Sequence, residues 1–348
     1  MKFTKYRSSK LVFIVFLIIL LGSGIVSARD YNGGLYFLDS INVKGAKELL
    51  ENKDLKISYI INLDNGIDKK LYDFYHNKVF VAADSIDINH NYFNHPWSGY
   101  NISNNHGTEI TWPMLEIINA LGFKTSPVKI ISYKVSYPDG RINAENLYFA
   151  LNNIIENLLK KEDLNIAAIN FSSGVNWSRP ELEEQKNQIN QVEEKINEIN
   201  NYGISFVAAS GNLNSYIRSQ INYFENTLVV GGVDINNNRY VNSFEEASSY
   251  GKPLDLVAPA IGIKVGYNNG NINKTGTSYS APMVSTTIAL MKSINPNLTP
   301  QEIKNILAKT SKDLNSTGKD IYFGHGLLDM GEAVKKALQW FCIYCWNF

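Results

Sequence analysis

Ser278 stands at a place in the chain where a hydroxyl could act as a nucleophile. Small residues precede it, Pro282 follows it, and the apolar residues that come next predict a helix that begins just after the serine: Val284, Ile288, Leu290 and Met291. A hydroxyl at that place faces the free N–H groups and the positive end of the helix, which can stabilise negative charge on a substrate oxygen. The alternative role is a serine that only caps the helix.

His106 is the best candidate for the base that a weak serine nucleophile requires. It stands in the sequence Asn105-His106-Gly107-Thr108, where a loop enters a predicted helix and glycine permits close approach. The other histidines lie in polar, loop-like sequence and are predicted to be surface residues: His76, His90, His95 and His325. We therefore predict that His106 takes the proton of Ser278.

Asp64 could hold the histidine in one tautomer and stabilise its charged form. It ends the strand-like run Tyr59 to Leu63, and a carboxylate at the carboxyl end of a strand faces the expected site. Asp84 is the competitor because it also ends a strand-like run. We prefer Asp64, which is followed by an Asn-Gly pair and lies 42 residues before His106, against 22 for Asp84.

Asn212 is the candidate donor of a hydrogen bond to the oxyanion. It follows the strand-like run Ser205 to Ala209 through two small residues that permit close backbone contact. In isolation a Ser-Gly-Asn sequence indicates a turn. Its place after a buried strand, 66 residues before Ser278, makes Asn212 the predicted oxyanion residue.

Strand-like runs alternate with helical ones along the chain, and these elements must position the four residues. Strands are predicted at Ser58 to Leu63, Val79 to Ala83, Lys129 to Val135, Ile166 to Phe171, Ile204 to Ala209, Thr227 to Val233 and Leu254 to Ala258. Helices are predicted at about Ile110 to Leu121, Ala144 to Lys161 and Glu181 to Asn200. This alternation predicts a single α/β domain with a mostly parallel central sheet and helices on both faces. Functional side chains should cluster at the carboxyl ends of the strands.

The Glu181 to Asn200 stretch predicts a long amphipathic helix. Its apolar residues share one stripe: Ile189, Val192, Ile196 and Ile199. We expect this stripe to lie on the sheet, because it lasts too few heptads for the alternative of a coiled-coil partner surface.

Four segments, in this order along the chain, resemble the motifs of the subtilisin-like serine proteases, the subtilase family. They are Asp64-Asn65-Gly66-Ile67, His106-Gly107-Thr108, Asn212 and Gly276-Thr277-Ser278-Tyr279-Ser280-Ala281-Pro282. Supporting segments resemble family landmarks at Ala168 to Gly174, Val257 to Pro259 and Tyr322 to Asp329. The resemblance runs from about Leu35 to Leu338 and implies the subtilisin-like fold. The α/β-hydrolase motif G-x-S-x-G fails because Ser280 occupies its second glycine position.

The resemblance implies a role for each residue. Ser278 attacks the scissile carbonyl, His106 takes and returns the proton, and Asp64 orients His106. Asn212 and the backbone N–H of Ser278 hold the oxyanion. The resemblance also implies that the primary specificity pocket is lined by Ser172, Ser173, Gly174, Ala209, Ser210 and Gly211, and that backbone near Gly140 to Ile142 pairs with an extended peptide.

The sequence departs from the family pattern near the aspartate. Asn65 replaces the usual hydroxyl residue, and polar Asn62 lies inside the preceding strand. The stretch between Ala28 and that strand is too short for the inhibitory pro-domain common in secreted relatives. We therefore expect a dedicated processing protease rather than a broad degradative one.

No cofactor is required by this chemistry, and we assign no metal ligands. Structural calcium is common in the family, but no ligand set for it stands out in this sequence. A site formed by His90 and His95 with Asp84 and Asp87 fits no standard spacing.

Residues 1–28 predict a secretory signal peptide. Four basic residues precede the apolar run Leu11 to Leu21, and small residues lead to a cleavage site after Ala28. The alternative is an uncleaved anchor, although eleven apolar residues are short for a span of about 20. Removal of the segment leaves 29 basic against 33 acidic residues, a net charge of −4. Nothing in this composition indicates a nucleic-acid partner.

The last ten residues, 339–348, form an aromatic tail that contains the only two cysteines, Cys342 and Cys345. A local disulfide or two free thiols fit this C-x-x-C pair better than a redox motif or a zinc site. The aromatic residues favour either packing on the domain, residues 29–338, or contact with a membrane surface.

The sequence therefore predicts an exported, monomeric serine endopeptidase that acts on a peptide or protein substrate. We expect activity to fall as the pH drops through about 6.5, because a protonated His106 cannot act as a base. The alternatives are an inactive peptide-binding module of the same fold and a scaffold that acts through the amphipathic helix or the tail.

Overall fold

The computed structural model describes residues 35–68, 71, 75, 80–87, 106–136, 142–160, 163–175, 183–267 and 270–345. The predicted signal segment lies outside these residues, as do His76, His90, His95, Gly140 and Arg141. Within the described ranges, no helix is long and apolar enough to cross a membrane.

Seven parallel strands of the described ranges form one sheet, as the alternation of runs predicts. They are β1 Ser58–Asp64, β2 Phe80–Asp87, β3 Val128–Lys134, β4 Ile166–Phe171, β5 Ser205–Ala209, β6 Thr227–Val233 and β7 Leu256–Pro259. Their order in the sheet is β2-β3-β1-β4-β5-β6-β7, and each described pair of neighbours runs parallel. The predicted fold class is confirmed.

Eight α-helices accompany the sheet in the described ranges. They are α1 Phe37–Ser40, α2 Val43–Leu50, α3 His106–Leu121, α4 Ala144–Asn153, α5 Glu183–Asn201, α6 Ala281–Ile294, α7 Pro300–Thr310 and α8 Met330–Cys345. A π-helical segment, Ile154–Leu159, continues α4, and 3₁₀ turns occur at Gln220–Tyr223 and Thr277–Tyr279. Helix α8 continues past Leu338, so the backbone does not break where the sequence places the start of the tail.

The core lies on both faces of the sheet. Neighbouring residues of β1 point to opposite faces, so that Ile60 packs in the cluster that contains α3 and α6, whereas Ile61 packs in the cluster that contains α4 and α5. The buried residues of α5 are Val192, Ile196 and Ile199. The predicted apolar stripe therefore lies against the domain's own core.

Two of the differences from the sequence-based expectation lie beside predicted site residues. Helix α3 begins at His106, one turn before the predicted Ile110. The sequence pattern missed this first turn because its polar residues lie outside the apolar pattern. An antiparallel hairpin of β8 Ile263–Tyr267 and β9 Gly270–Lys274 precedes Ser278 and was not predicted. Its asparagine-rich second strand has no strand-like apolar signal.

Candidate active site

The four predicted site residues lie at the ends of elements that meet at one edge of the sheet. Asp64 is the last residue of β1, and His106 is the first residue of α3. Asn212 follows the end of β5 by three residues, and Ser278 lies in the 3₁₀ turn that leads into α6. Strand β4 separates β1 from β5, so the carboxyl ends of three neighbouring strands form this edge.

Asp64 and His106 are in direct contact. The Nδ1 atom of His106 lies 3.0 Å from each carboxylate oxygen of Asp64, which is 2% exposed. The carboxylate also accepts the backbone N–H of Asn65 at 2.8 Å and the hydroxyl of Ser173 at 3.0 Å. A carboxylate can only accept, so Nδ1 carries the proton and Nε2 is left as the basic nitrogen.

The surroundings of His106 raise its pKa above the ordinary 6.5. Burial alone would lower the pKa, but the charge and hydrogen bond of Asp64 raise it, and the charge of Glu109 adds to that effect. Lys274 opposes the rise in pKa. The imidazole keeps an exposed edge, with 27% of the side chain accessible, so a substrate can reach it.

Ser278 is held against the end of β4 by a reciprocal pair of hydrogen bonds. Its hydroxyl donates to the carbonyl oxygen of Ser172 at 2.9 Å, and the Ser172 hydroxyl donates to the carbonyl oxygen of Ser278 at 2.9 Å. A hydroxyl has one proton, so in this rotamer Ser278 does not donate to another group.

Asn212 is oriented by the residue that precedes Ser278. Its side-chain oxygen accepts the backbone N–H of Thr277 at 2.9 Å and the Thr277 hydroxyl at 3.0 Å. A backbone N–H can only donate, which fixes the amide oxygen on that side and places the two N–H donors of Asn212 on the other. Gly276 has φ of 144°, and a Cβ there would lie 3.2 Å from Asn212 Nδ2, so glycine suits this close approach.

A buried polar network below the site was missed by sequence reasoning. Asn62 donates to the carbonyl oxygen of Gly107 at 3.3 Å and to the Thr111 hydroxyl at 3.1 Å, and its oxygen accepts from Asn170 at 3.0 Å. Asn170 also donates to the Ser172 hydroxyl at 3.0 Å. The network thus connects β1, the helix of His106, and the residue that holds Ser278. Asn62, the polar residue inside β1 that departs from the family pattern, therefore has a structural role.

The predicted pocket residues form two segments beside Ser278. In the first segment the Ser172 hydroxyl donates to the carbonyl oxygen of Ser278, and the Ser173 hydroxyl donates to the Asp64 carboxylate. Gly174 is exposed. In the second segment the N–H of Gly211, whose φ is 100°, donates to the Thr277 hydroxyl at 3.2 Å, while Ser210 is buried and Ala209 is half-buried. Their role in substrate specificity stays a prediction.

The competing candidates lie elsewhere. Asp84 is part of β2, which β3 separates from β1. The backbone N–H of His325 donates to the carbonyl oxygen of Asp255, which lies beside β7. Three strands separate β7 from β1, the strand that carries Asp64. In the part of the chain that the structure describes, no three His, Cys, Asp or Glu side chains gather as a metal site.

Sequence comparison finds one family and several bacterial relatives. The model of the Subtilase family matches residues 57–326. Subtilisin BL of Lederbergia lenta is 29% identical over 235 residues, which cover 67% of this chain and 78% of that protein. Alkaline elastase YaB of Bacillus sp. (strain YaB) is 29% identical over 239 residues, covering 67% and 56%. Subtilisin Savinase of Lederbergia lenta is 34% identical over 145 residues, covering 41% and 51%, so the chain spans about half the length of these last two proteins.

Solved structures with the same fold include two proteases. A lanthipeptide protease superposes with a TM-score of 0.66 at 17% identity, over 90% of this chain and 97% of that one. The prenylagaramide maturation protease PagA superposes with a TM-score of 0.61 at 20% identity, over 84% and 98%. At these identities the likeness is one of fold.

Proposed function

This chain belongs to the subtilase family of serine endopeptidases, and from that premise we propose that it hydrolyses peptide bonds through an acyl-enzyme formed on Ser278. The observation that carries the proposal is the Asp64–His106 pair, with both oxygens 3.0 Å from Nδ1, at the sheet edge that also bears Ser278 and Asn212. A buried carboxylate that orients an imidazole is the arrangement that makes a nearby serine hydroxyl nucleophilic.

The proposed reaction begins when the Ser278 hydroxyl turns from the Ser172 carbonyl toward Nε2 of His106. As the oxygen attacks the scissile carbonyl carbon, its proton passes to Nε2, and Asp64 stabilises the imidazolium that forms. The N–H donors of Asn212 and the backbone N–H of Ser278 bind the oxyanion. His106 then protonates the leaving amine. In the second half of the reaction a water gives a proton to His106 and attacks the acyl carbon, the bond to Ser278 breaks, and His106 returns the proton to the Ser278 oxygen. Apart from the substrate and this water, these steps use only side chains and backbone of the chain and require no cofactor.

We further propose that the substrate is a peptide precursor that the enzyme matures. Support comes from the two proteases of similar fold, a lanthipeptide protease and a prenylagaramide maturation protease. Profiling cleavage of a peptide library tests this proposal. A processing enzyme should cut few sequences at one recurring motif, whereas indiscriminate cleavage would favour a degradative role.

We propose that the enzyme acts outside the cytoplasm as a monomer, with residues 1–28 removed as a signal peptide and residues 29–338 forming the peptidase domain. Mass spectrometry of the exported protein tests the processing step. A mature chain that begins at Arg29 supports it, and a chain that retains the apolar run Leu11 to Leu21 would favour an anchor.

Replacement of the nucleophile tests the mechanism. Ser278→Ala should abolish turnover of a peptide substrate while circular dichroism and thermal unfolding stay close to those of the native protein. Retained turnover in Ser278→Ala would reject the acyl-enzyme mechanism.

A further inference from the structure

A second carboxylate connects the helix of His106 to the turn of Ser278. Glu109 lies three residues after His106 in α3, and residues at that spacing share one face of a helix. One oxygen of Glu109 accepts the Tyr279 hydroxyl at 2.9 Å, and the other pairs with the Lys274 ammonium at 2.8 Å. Tyr279 directly follows Ser278, and Lys274 ends β9. Two separate segments of the serine region therefore converge on one residue of the histidine helix.

The bridge between Glu109 and Tyr279 is buried at its tyrosine end and mostly buried at its carboxylate end. Tyr279 is 4% exposed and packs in the same apolar cluster as Ile110 and Met114 of α3. The Glu109 side chain is 20% exposed. Burial raises the pKa of Tyr279, and the neighbouring Glu109 charge and hydrogen bond raise it further, so the hydroxyl remains a donor at neutral pH. A phenol donating to a carboxylate in such surroundings forms a strong, directional hydrogen bond.

The hairpin that carries Lys274 is packed firmly on the same helix. Gly266 of β8 lies so close to the Trp112 ring that a Cβ there would be 2.9 Å from it. Lys274, with 36% of its side chain exposed, pairs with Glu109 from the end of this hairpin.

We propose, resting on the peptidase function proposed above, that Glu109 and Tyr279 form a positioning bridge that sets the His106 imidazole against the Ser278 hydroxyl, and that Glu109 supports the imidazolium formed during catalysis. Tyr279 and Glu109 touch neither the scissile bond nor the transferred proton. They act through the two residues that do, because each lies on the rigid element that carries one of them.

Within the part of the chain that the structure describes, charges on three elements act on His106. Asp64 on β1 and Glu109 on α3 itself stabilise the protonated ring, whereas Lys274 on β9 destabilises it. Glu109 and Lys274 therefore act on His106 with opposite signs although they are paired with each other. Removal of one charge should therefore shift the His106 titration in the opposite direction to removal of the other. A bridge with a purely structural role would not produce these opposite shifts.

The test measures the acid limb of kcat/KM against pH in three variants. Glu109→Gln keeps an acceptor for Tyr279 but removes the charge, and it should move the limb to lower pH by roughly half a unit. Lys274→Met should move the limb to higher pH. Tyr279→Phe keeps both charges, and it should lower kcat about three- to tenfold with little change in KM or in the limb.

Glu116→Gln is the matched control. Glu116 is a carboxylate on the same helix that faces Lys264 of the same hairpin, and it lies ten residues beyond His106. This variant should leave both kcat and the acid limb unchanged.

Nuclear magnetic resonance titration of the His106 ring reads the same shifts without turnover, with the signal assigned through His106→Gln. Failure of the bridge is thereby distinguished from failure of the peptidase function. Opposite displacements of the His106 titration in Glu109→Gln and Lys274→Met, with a lower kcat in Tyr279→Phe, support the proposal. Unmoved titrations in both charge variants, or an unchanged kcat in Tyr279→Phe, would overturn it.

Discussion

Replacement of Asn62 by leucine is expected to lower both the free energy of unfolding and kcat. The size of the loss of stability follows from the hydrogen bonds that are lost. Asn62 is 1% exposed, and leucine has nearly its shape without its polar atoms. The Gly107 carbonyl loses Asn62 as a donor but keeps the Thr111 hydroxyl at 2.7 Å. Asn170 keeps its bond to the Ser172 hydroxyl but loses its acceptor at Asn62.

One buried N–H, that of Asn170, is therefore left without an acceptor in Asn62→Leu. An unsatisfied buried donor costs about 1–3 kcal/mol, so the free energy of unfolding should fall by that amount. Asn170 also donates to the Ser172 hydroxyl, which in turn donates to the carbonyl oxygen of Ser278. Because Asn62→Leu disturbs this series of hydrogen bonds, kcat should fall as well.

The assay is urea unfolding of Asn62→Leu beside steady-state kinetics on one peptide substrate. Tyr133→Phe is the control, because it removes a hydrogen bond to Asn153 at 2.7 Å on the face of the sheet opposite α3 and α6. It should cost about 1 kcal/mol without lowering kcat. An Asn62→Leu protein within about 0.5 kcal/mol of the native one, with unchanged kcat, would refute the role given to the network.

Three further predictions concern single residues. Because the pKa of His106 is raised and only the neutral ring acts as base, kcat/KM should fall to half at a pH above 6.5, and a midpoint at or below 6.5 would contradict this. Asn212→Ala should lower kcat about 10²–10³-fold, a magnitude that comes from subtilisin itself, and a loss below threefold would remove Asn212 from the oxyanion site. Burial lowers the pKa of Lys292 to about 8, so the unfolded chain binds more protons above that pH and this residue makes stability rise with pH. The rise should total roughly 2–3 kcal/mol between pH 8 and 10.4 and be absent from Lys292→Met in unfolding experiments across that range.

Much of the fold could be predicted because the sequences of the buried strands are continuous apolar runs. Strands β4 and β6 have the predicted bounds, since both are buried along their whole length. Asp64 and His106 could be paired from sequence because each stands at the end of an element whose direction the parallel sheet fixes.

The supporting contacts could not be predicted, because each joins residues that are far apart in the chain and unremarkable by themselves. Asn62 looks like a defect in an apolar strand until Asn170, 108 residues later, is seen beside it. Glu109 and Tyr279 are 170 residues apart, and neither has a local signal of pairing. The hydroxyls of Ser172 and Ser173 could be placed near the substrate pocket by resemblance, but their bonds to Ser278 and Asp64 depend on side-chain rotamers.

Labelling with a fluorophosphonate tests most directly whether the four scattered residues act as one catalytic centre. After incubation, digestion and mass spectrometry should locate a single adduct on Ser278, and the labelling rate should collapse in His106→Ala. An unlabelled protein, an adduct on another serine, or labelling of Ser278 at the same rate in His106→Ala would contradict the account.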